Sequence, residues 1–142
     1  MTTYADSSFF VSLHLVDRHS PEAWRRMSQH PAIWLTPLNR AEISHAAYLH
    51  VFWKKATLVE AESALTVLER DCAAGIWHQV NFPAEAFDRC IDLTRRFGPS
   101  LGVRTLDSLH VACALELKAQ RFWTFDDRQA RLAEAVGLDT SA

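Results

Sequence analysis

Apolar and polar positions along the chain follow two alternating rhythms, one of period two and one of period 3.6. Residues 3–5 form a short strand that ends at Asp6, and residues 7–16 read as a helix with Phe9, Phe10, Leu13 and Leu15 on its apolar side. Ser20-Pro21-Glu22 marks a helix start, with Ser20 as cap and Pro21 in the first position, running to about Gln29. Residues 32–36 (Ala-Ile-Trp-Leu-Thr) read as a buried strand. Pro37 then leads into a long helix over residues 38–55, with Glu42 in or near its first turn. A second helix over 59–74 ends before Gly75, a C-terminal cap. Residues 76–82 alternate like a strand, and Pro83-Ala84-Glu85 opens a helix that ends before Gly98-Pro99. The segment 104–119 is apolar on most sides, which predicts a deeply packed helix. A last strand at 121–125 and a helix at 127–136, closed by Gly137, complete the order.

Strands that alternate with helices predict an α/β fold with a mostly parallel central sheet. In such sheets ligands bind outside the carboxyl ends of the strands. The 142 residues suit a single domain, 1–142, and no repeat, low-complexity stretch or Gly/Ser linker divides them. With 49% hydrophobic and 23% charged residues, the composition excludes a disordered chain. The net charge of −2 sets up no global field for nucleic acid, so attraction to RNA would rest on a local basic rim or bound cations. Cys72, Cys90 and Cys113 are odd in number and lack C-x-x-C spacing, which argues against zinc or disulfides and for a reducing cytoplasm. The N-terminus lacks the basic-then-apolar order of a signal peptide, and no apolar stretch is long enough to cross a membrane.

Four acidic residues stand where this order of elements can gather them: Asp6, Glu42, Asp107 and Asp126. Their neighbourhoods, such as Tyr4-Ala5-Asp6-Ser7-Ser8-Phe9-Phe10 and Leu106-Asp107-Ser108-Leu109, would not hold a lone charge cheaply. Converged, they make an oxygen-rich cage suited to Mg²⁺ or Mn²⁺, the equipment of a metal-dependent nuclease. Each has a bland rival role. Asp6 can cap the helix that follows, Asp107 can pair with Arg104, Glu42 can sit favourably in a helix dipole, and Asp127 can exchange roles with Asp126. His110 and His45 lie three residues from Asp107 and Glu42 and read as structural histidines. Trp24-Arg25-Arg26, Lys54-Lys55 and Arg95-Arg96 read as solvated faces, and Phe9, Phe10, Trp53 and Trp77 as core or interface.

The segments Tyr4-Ala5-Asp6-Ser7-Ser8, Thr36-Pro37-Leu38-Asn39-Arg40-Ala41-Glu42-Ile43, Arg104-Thr105-Leu106-Asp107-Ser108-Leu109-His110-Val111-Ala112 and Trp123-Thr124-Phe125-Asp126 resemble, in order and spacing, the motifs of PIN domains. They are most similar to those of VapC-type ribonuclease toxins, and the likeness spans nearly the whole chain. It implies a three-layer α/β/α sandwich and single-strand endoribonuclease activity. It also implies one or two Mg²⁺ or Mn²⁺ ions on Asp6, Asp107 and Asp126, with Glu42 binding directly or through water. Ser8 and Thr124 would supply hydroxyls that orient those ligands. The resemblance further implies a homodimer and a small antitoxin partner encoded beside the toxin.

Two other classes compete with this reading. An aspartate-based phosphohydrolase would want a second acid two residues after Asp6, where Ser8 stands. A catalytically inert domain of the same fold would bind a partner without cleaving anything. No G-x-x-x-x-G-K loop is present to cradle a nucleotide.

Overall fold

The computed structural model describes residues 1–142. Its eleven elements run β1 (Thr2–Ala5), α1 (Ser7–His14), α2 (Ser20–Met27), β2 (Ala32–Leu35), α3 (Pro37–Phe52), α4 (Leu58–Ala73), β3 (His78–Gln79), α5 (Ala86–Leu101), α6 (Thr105–Glu116), β4 (Arg121–Trp123) and α7 (Asp127–Ala135). The four strands form one sheet in the order β3-β2-β1-β4, with every pairing parallel. From β1 the chain steps outward through β2 to β3, then crosses back to place β4 on the other side of β1. That reversal opens a crevice beyond the carboxyl ends of β1 and β4. Asp6 leaves β1 directly into it, and its N–H extends the ladder to the Trp123 carbonyl at 3.0 Å.

β1, β2 and β4 are largely buried on both faces, while β3 is exposed, and the period-two alternation sorts the buried side chains into two cores. Tyr4 and Phe122 face one layer with Leu93, Leu109, Val111 and Leu132 from α5, α6 and α7. Ala5 and Trp123 face the other with Phe9, Phe10, Ile33, Leu35, Ile43 and Leu68, where α1, α3 and α4 pack. The result is a three-layer α/β/α sandwich. The exposed edge of β4 is covered by the chain's own end, since Phe122 N–H donates to the Asp139 carbonyl at 2.8 Å. No helix is long and apolar enough to cross a membrane.

Several boundaries differ from the sequence expectation for identifiable reasons. The strand expected over 76–82 contracts to His78–Gln79, because this edge strand has β2 as its single neighbour. Ser20 is not a cap but the first residue of α2, with His19 in the cap position. Its hydroxyl instead donates to the Ser12 carbonyl at 2.6 Å. Glu42, expected in or near the first turn of α3, stands just past it in the second turn. Trp53 is half exposed and stands apart from Phe9, Phe10 and Trp77, which pack together. Arg26 is not on a solvated face: its guanidinium lies 5.5 Å over Trp123 and 5.3 Å over Phe125, while Arg25 stays exposed.

The largest difference is α5, which runs through Gly98-Pro99 to Leu101. Proline there removes one bond in the last turn, where the freed carbonyl of exposed Arg95 meets solvent. The helix is stopped instead by Gly102, in the left-handed region at φ 63° and ψ 32°, whose N–H returns to the Gly98 carbonyl at 2.9 Å. A Cβ on Gly102 would meet nothing within 4 Å, so a substitution there tests backbone conformation without a clash. Gly102→Ala should lower unfolding stability by about 1 kcal/mol in urea titrations, with Gly102→Asn closer to the parent. Equal stability of Gly102→Ala and the parent would contradict this account of the helix end.

Candidate functional site

The site begins with Asp6, which is 2% exposed and serves as N-cap of α1. Its Oδ1 accepts from Ser8 Oγ at 2.6 Å and from Phe9 N–H at 3.2 Å, and its Oδ2 accepts from Thr124 Oγ1 at 2.9 Å. Burial pushes its carboxyl above the usual range, and the nearby His110 together with these donors only partly offsets that. The hydroxyls of Ser8 and Thr124 therefore touch the central carboxylate directly.

Asp126 is tied to Asp6 through Thr124, whose Oγ1 accepts from Asp126 N–H at 2.9 Å. It caps α7, with Oδ1 accepting from Arg128 N–H at 2.9 Å and Gln129 N–H at 3.1 Å. Its other oxygen, Oδ2, lies 3.5 Å from Arg104 Nη2. Asp127 is the first residue of α7 and is exposed, so the cap and the contact with Arg104 both belong to Asp126.

Asp107 lies in the first turn of α6 and is 1% exposed. Its Oδ2 accepts from Arg104 N–H at 2.9 Å and Arg104 Nε at 3.4 Å, and its Oδ1 accepts from Gln129 Nε2 at 3.3 Å. The pairing with Arg104 expected at i, i+3 is thus present, and it is extended across to α7. One turn further along α6, His110 is equally buried and bridges Tyr4 and Glu42. Its Nδ1 shares a hydrogen bond with the Tyr4 hydroxyl at 2.7 Å, and its Nε2–H donates to Glu42 Oε1, because a carboxylate can only accept. Burial, followed by Cys113 and the charges of Asp6 and Glu42, holds the Tyr4 hydroxyl well above its ordinary value, so it remains a donor.

Glu42 also accepts from Ser7 Oγ at 2.8 Å. Burial alone would raise its carboxyl, but the hydrogen bond and charge of His110, with Ser7, outweigh burial and the repulsion from Asp107 and lower it. Asn39 fixes where this turn of α3 lies: its Nδ2 donates to the Ala5 carbonyl at 3.3 Å and its Oδ1 accepts from Thr36 N–H at 3.0 Å.

The four acids thus form a ring: Asp6 to Asp126 through Thr124, Asp126 to Asp107 through Arg104, Asp107 beside Glu42, and Glu42 back to Ser7 next to Asp6. The expected closed cage is not what the ring forms. No three of these groups stand close enough together to ligate one ion in this conformation. Like charges repel, and each carboxylate is held by its own donors rather than drawn inward. The donor set still suits a hard divalent ion, because all four are carboxylates and none is a thiolate or imidazole. A second feature fits too. Gln129 is 7% exposed, yet its Oε1, beside Asp107, has no hydrogen-bond partner.

A groove of about 690 Å³ adjoins the ring, bounded by Ser7, Ser8, Val11, Glu42, Leu49, Phe125 and Asp126. His45 lines it but is exposed, and it has no part in the network around Glu42. Ser7, Asn39 and Gln129 were not singled out by sequence reasoning, and His110 was read as structural alone. The available signals were spacing: Ser7 directly follows Asp6, His110 stands at i+3 from Asp107, and Gln129 at i+3 from Asp126.

Comparison with known proteins bears on the fold and the family. The chain is similar in structure to VapC20 of Mycobacterium tuberculosis, described as a toxin that cleaves the sarcin–ricin loop. The TM-score is 0.70 and the identity 15%, over 96% of this chain and 95% of the other. It is also similar to VapBC2 of Rickettsia felis, solved bound to a DNA fragment from its promoter, with a TM-score of 0.68 and 14% identity over 99% and 98% of the two chains. No curated protein sequence matches the chain. The family model for the PIN domain matches residues 3–135, and the chain belongs to the PIN domain family.

Proposed function

We propose that this PIN domain is a divalent-metal-dependent endoribonuclease that acts as the toxin of a toxin–antitoxin pair. The observation that carries the reading is the ring of four carboxylates at the switch point of the sheet, with two of them, Asp6 and Asp107, almost fully buried. Charge in that setting is costly unless a cation or strong donors offset it. Asp6, Asp107 and Asp126 would hold Mg²⁺ or Mn²⁺, with Glu42 reaching it directly or through water. A bound ion of this kind supplies activated water and charge stabilisation for phosphodiester hydrolysis.

The chain's own residues perform the remaining work. Ser8 and Thr124 fix both oxygens of Asp6, which orients its lone pairs. Ser7 and His110 hold Glu42 ionised at the boundary of ring and groove, where it can orient the attacking water by accepting its hydrogen bond. Tyr4 holds the imidazole from behind. Hydrolysis adds the water oxygen to phosphorus and releases the 3′-oxygen as a hydroxyl. The groove beside Glu42 would take the RNA strand. The toxin role and a small antitoxin partner are supported by the two structural relatives, one described as a sarcin–ricin loop cleaving toxin and the other as VapBC2. A homodimer and residence in the cytoplasm belong to the same proposal.

Purified protein should cleave single-stranded RNA with Mn²⁺, stop on chelation, and resume when Mn²⁺ is returned. Asp107→Asn should cut at least about 100-fold more slowly, and induced expression of the parent, but not of this variant, should arrest growth. Cleavage that persists in chelator, or equal cleavage by Asp107→Asn, would contradict the reading.

Asp6 yields a second expectation. Its folded carboxyl is raised, so its contribution to stability is complete below the unfolded value and is lost as pH rises through the folded one. At neutral pH the ionised group therefore costs stability in the metal-free protein. Asp6→Asn keeps a good cap and should raise the melting temperature in chelator by roughly 2 °C or more while abolishing cleavage. The gain should shrink on acidification below the ordinary carboxylate range. A lower melting temperature at neutral pH would contradict this.

A further inference from the structure

Arg104 stands between two of the four acids in an arrangement the proposed chemistry does not require. Its backbone N–H and its Nε both meet Asp107 Oδ2, at 2.9 and 3.4 Å, while its Nη2 lies 3.5 Å from Asp126 Oδ2. One guanidinium charge thus spans the first turn of α6 and the cap of α7. The two side-chain contacts are longer than the roughly 2.7–2.9 Å of a tight charged pair, and they lack bidentate geometry. The Arg104 side chain is 65% exposed, whereas the Asp107 side chain it covers is 2% exposed. The guanidinium is therefore a loose lid over a buried carboxylate, on a flexible stem that can carry it into solvent.

Gln129 shows what this lid leaves undone. Its amide orientation is set by Asp107, since only the NH₂ can donate to a carboxylate, and this turns Oε1 away as an acceptor. That oxygen is buried and has no donor, although the guanidinium, with several N–H groups, lies across the same recess. The recess, of about 350 Å³, is bounded by Glu42, Arg104, Leu106, Asp107 and Gln129 among others. A buried acceptor without a donor is costly. A hydrated divalent ion at the mouth of this recess, where Arg104 now reaches toward Asp126, would offer charge to Asp107 and a water O–H to the Gln129 acceptor that Arg104 leaves unpaired.

We propose that Arg104 is a resident counter-cation: it occupies the divalent cation's place between Asp107 and Asp126 and must swing out for the ion to enter. This inference rests on the metal site proposed above. Arg104 then sets the metal concentration at which the site loads, and without metal it neutralises the pair that would otherwise repel. It is a positioning residue, acting through the two aspartates.

The test is calorimetric titration of Mn²⁺, without RNA, into the full-length parent, Arg104→Gln and Arg104→Lys. Removing the resident charge while keeping the backbone N–H should make Arg104→Gln bind Mn²⁺ roughly tenfold more tightly, the gain expected from two loose ion pairs. Arg104→Lys, which keeps a charge, should fall between it and the parent. A misfolded variant cannot gain affinity, so the expected result is not open to that explanation. Parent binding with equal or weaker binding by Arg104→Gln overturns the inference and leaves the metal reading standing. Absence of Mn²⁺ binding by the parent and the variants overturns both.

Discussion

A nearly fully buried carboxylate at the end of the central strand is the constraint on which the rest of this protein depends. Asp6 follows β1 directly, faces the reversal point of the sheet, and cannot be left without partners there. The surroundings are organised to tolerate it. The first turn of α1 offers Phe9 N–H, Ser8 returns a hydroxyl, and Thr124 reaches it from the carboxyl end of β4. Those donors do not fully offset burial, and Asp6 stays harder to ionise than an ordinary aspartate. The site is thus electrostatically tense in the absence of a cation, a pattern common where charge has work to do.

The same residues both build the local structure and supply the chemistry. Asp6 and Asp126 are helix caps, and Asp107 closes the first turn of α6 by accepting from Arg104 N–H. Asp6 and Asp126 are thus placed by helix N–H groups that hold one carboxylate oxygen while the other meets Thr124 or Arg104, and Asp107 is placed by Arg104 N–H on one oxygen and Gln129 on the other. Glu42 is the exception. It sits in the second turn of α3 and is placed by side chains alone, Ser7 and His110. That difference fits a division of labour between acids that hold a cation and one that orients water.

Much of the fold could be read from the residues. The alternation of Tyr4 and Ala5, and of Phe122 and Trp123, between two cores is the period-two pattern of a doubly covered strand. The apolar run of α6 announced its burial, with eight consecutive residues from Asp107 to Ala114 enclosed. What misled were local signals overruled by context. Gly98-Pro99 has the composition of a helix stop, but an exposed last turn tolerates the missing bond, and Gly102 supplies the true stop. At the site, the four acids could be placed on one rim from element order. The links between them could not. The bonds joining Tyr4 to His110, His110 to Glu42, and Gln129 to Asp107 span 106, 68 and 22 residues, distances that only the folded chain spans. Nor does sequence show that Arg104 reaches Asp126 as well as Asp107, since i, i+3 spacing announces only the nearer pair.

The central claim is that this ring of carboxylates is a cation site closed in the present conformation by its own donors. Crystals soaked in Mn²⁺ and measured for anomalous scattering test it most directly. The account predicts a peak about 2.0–2.3 Å from oxygens of Asp6, Asp107 and Asp126, with the Arg104 guanidinium displaced from between the two aspartates. A peak that avoids these oxygens, or an ordered ion with Arg104 still spanning Asp107 and Asp126, would contradict it.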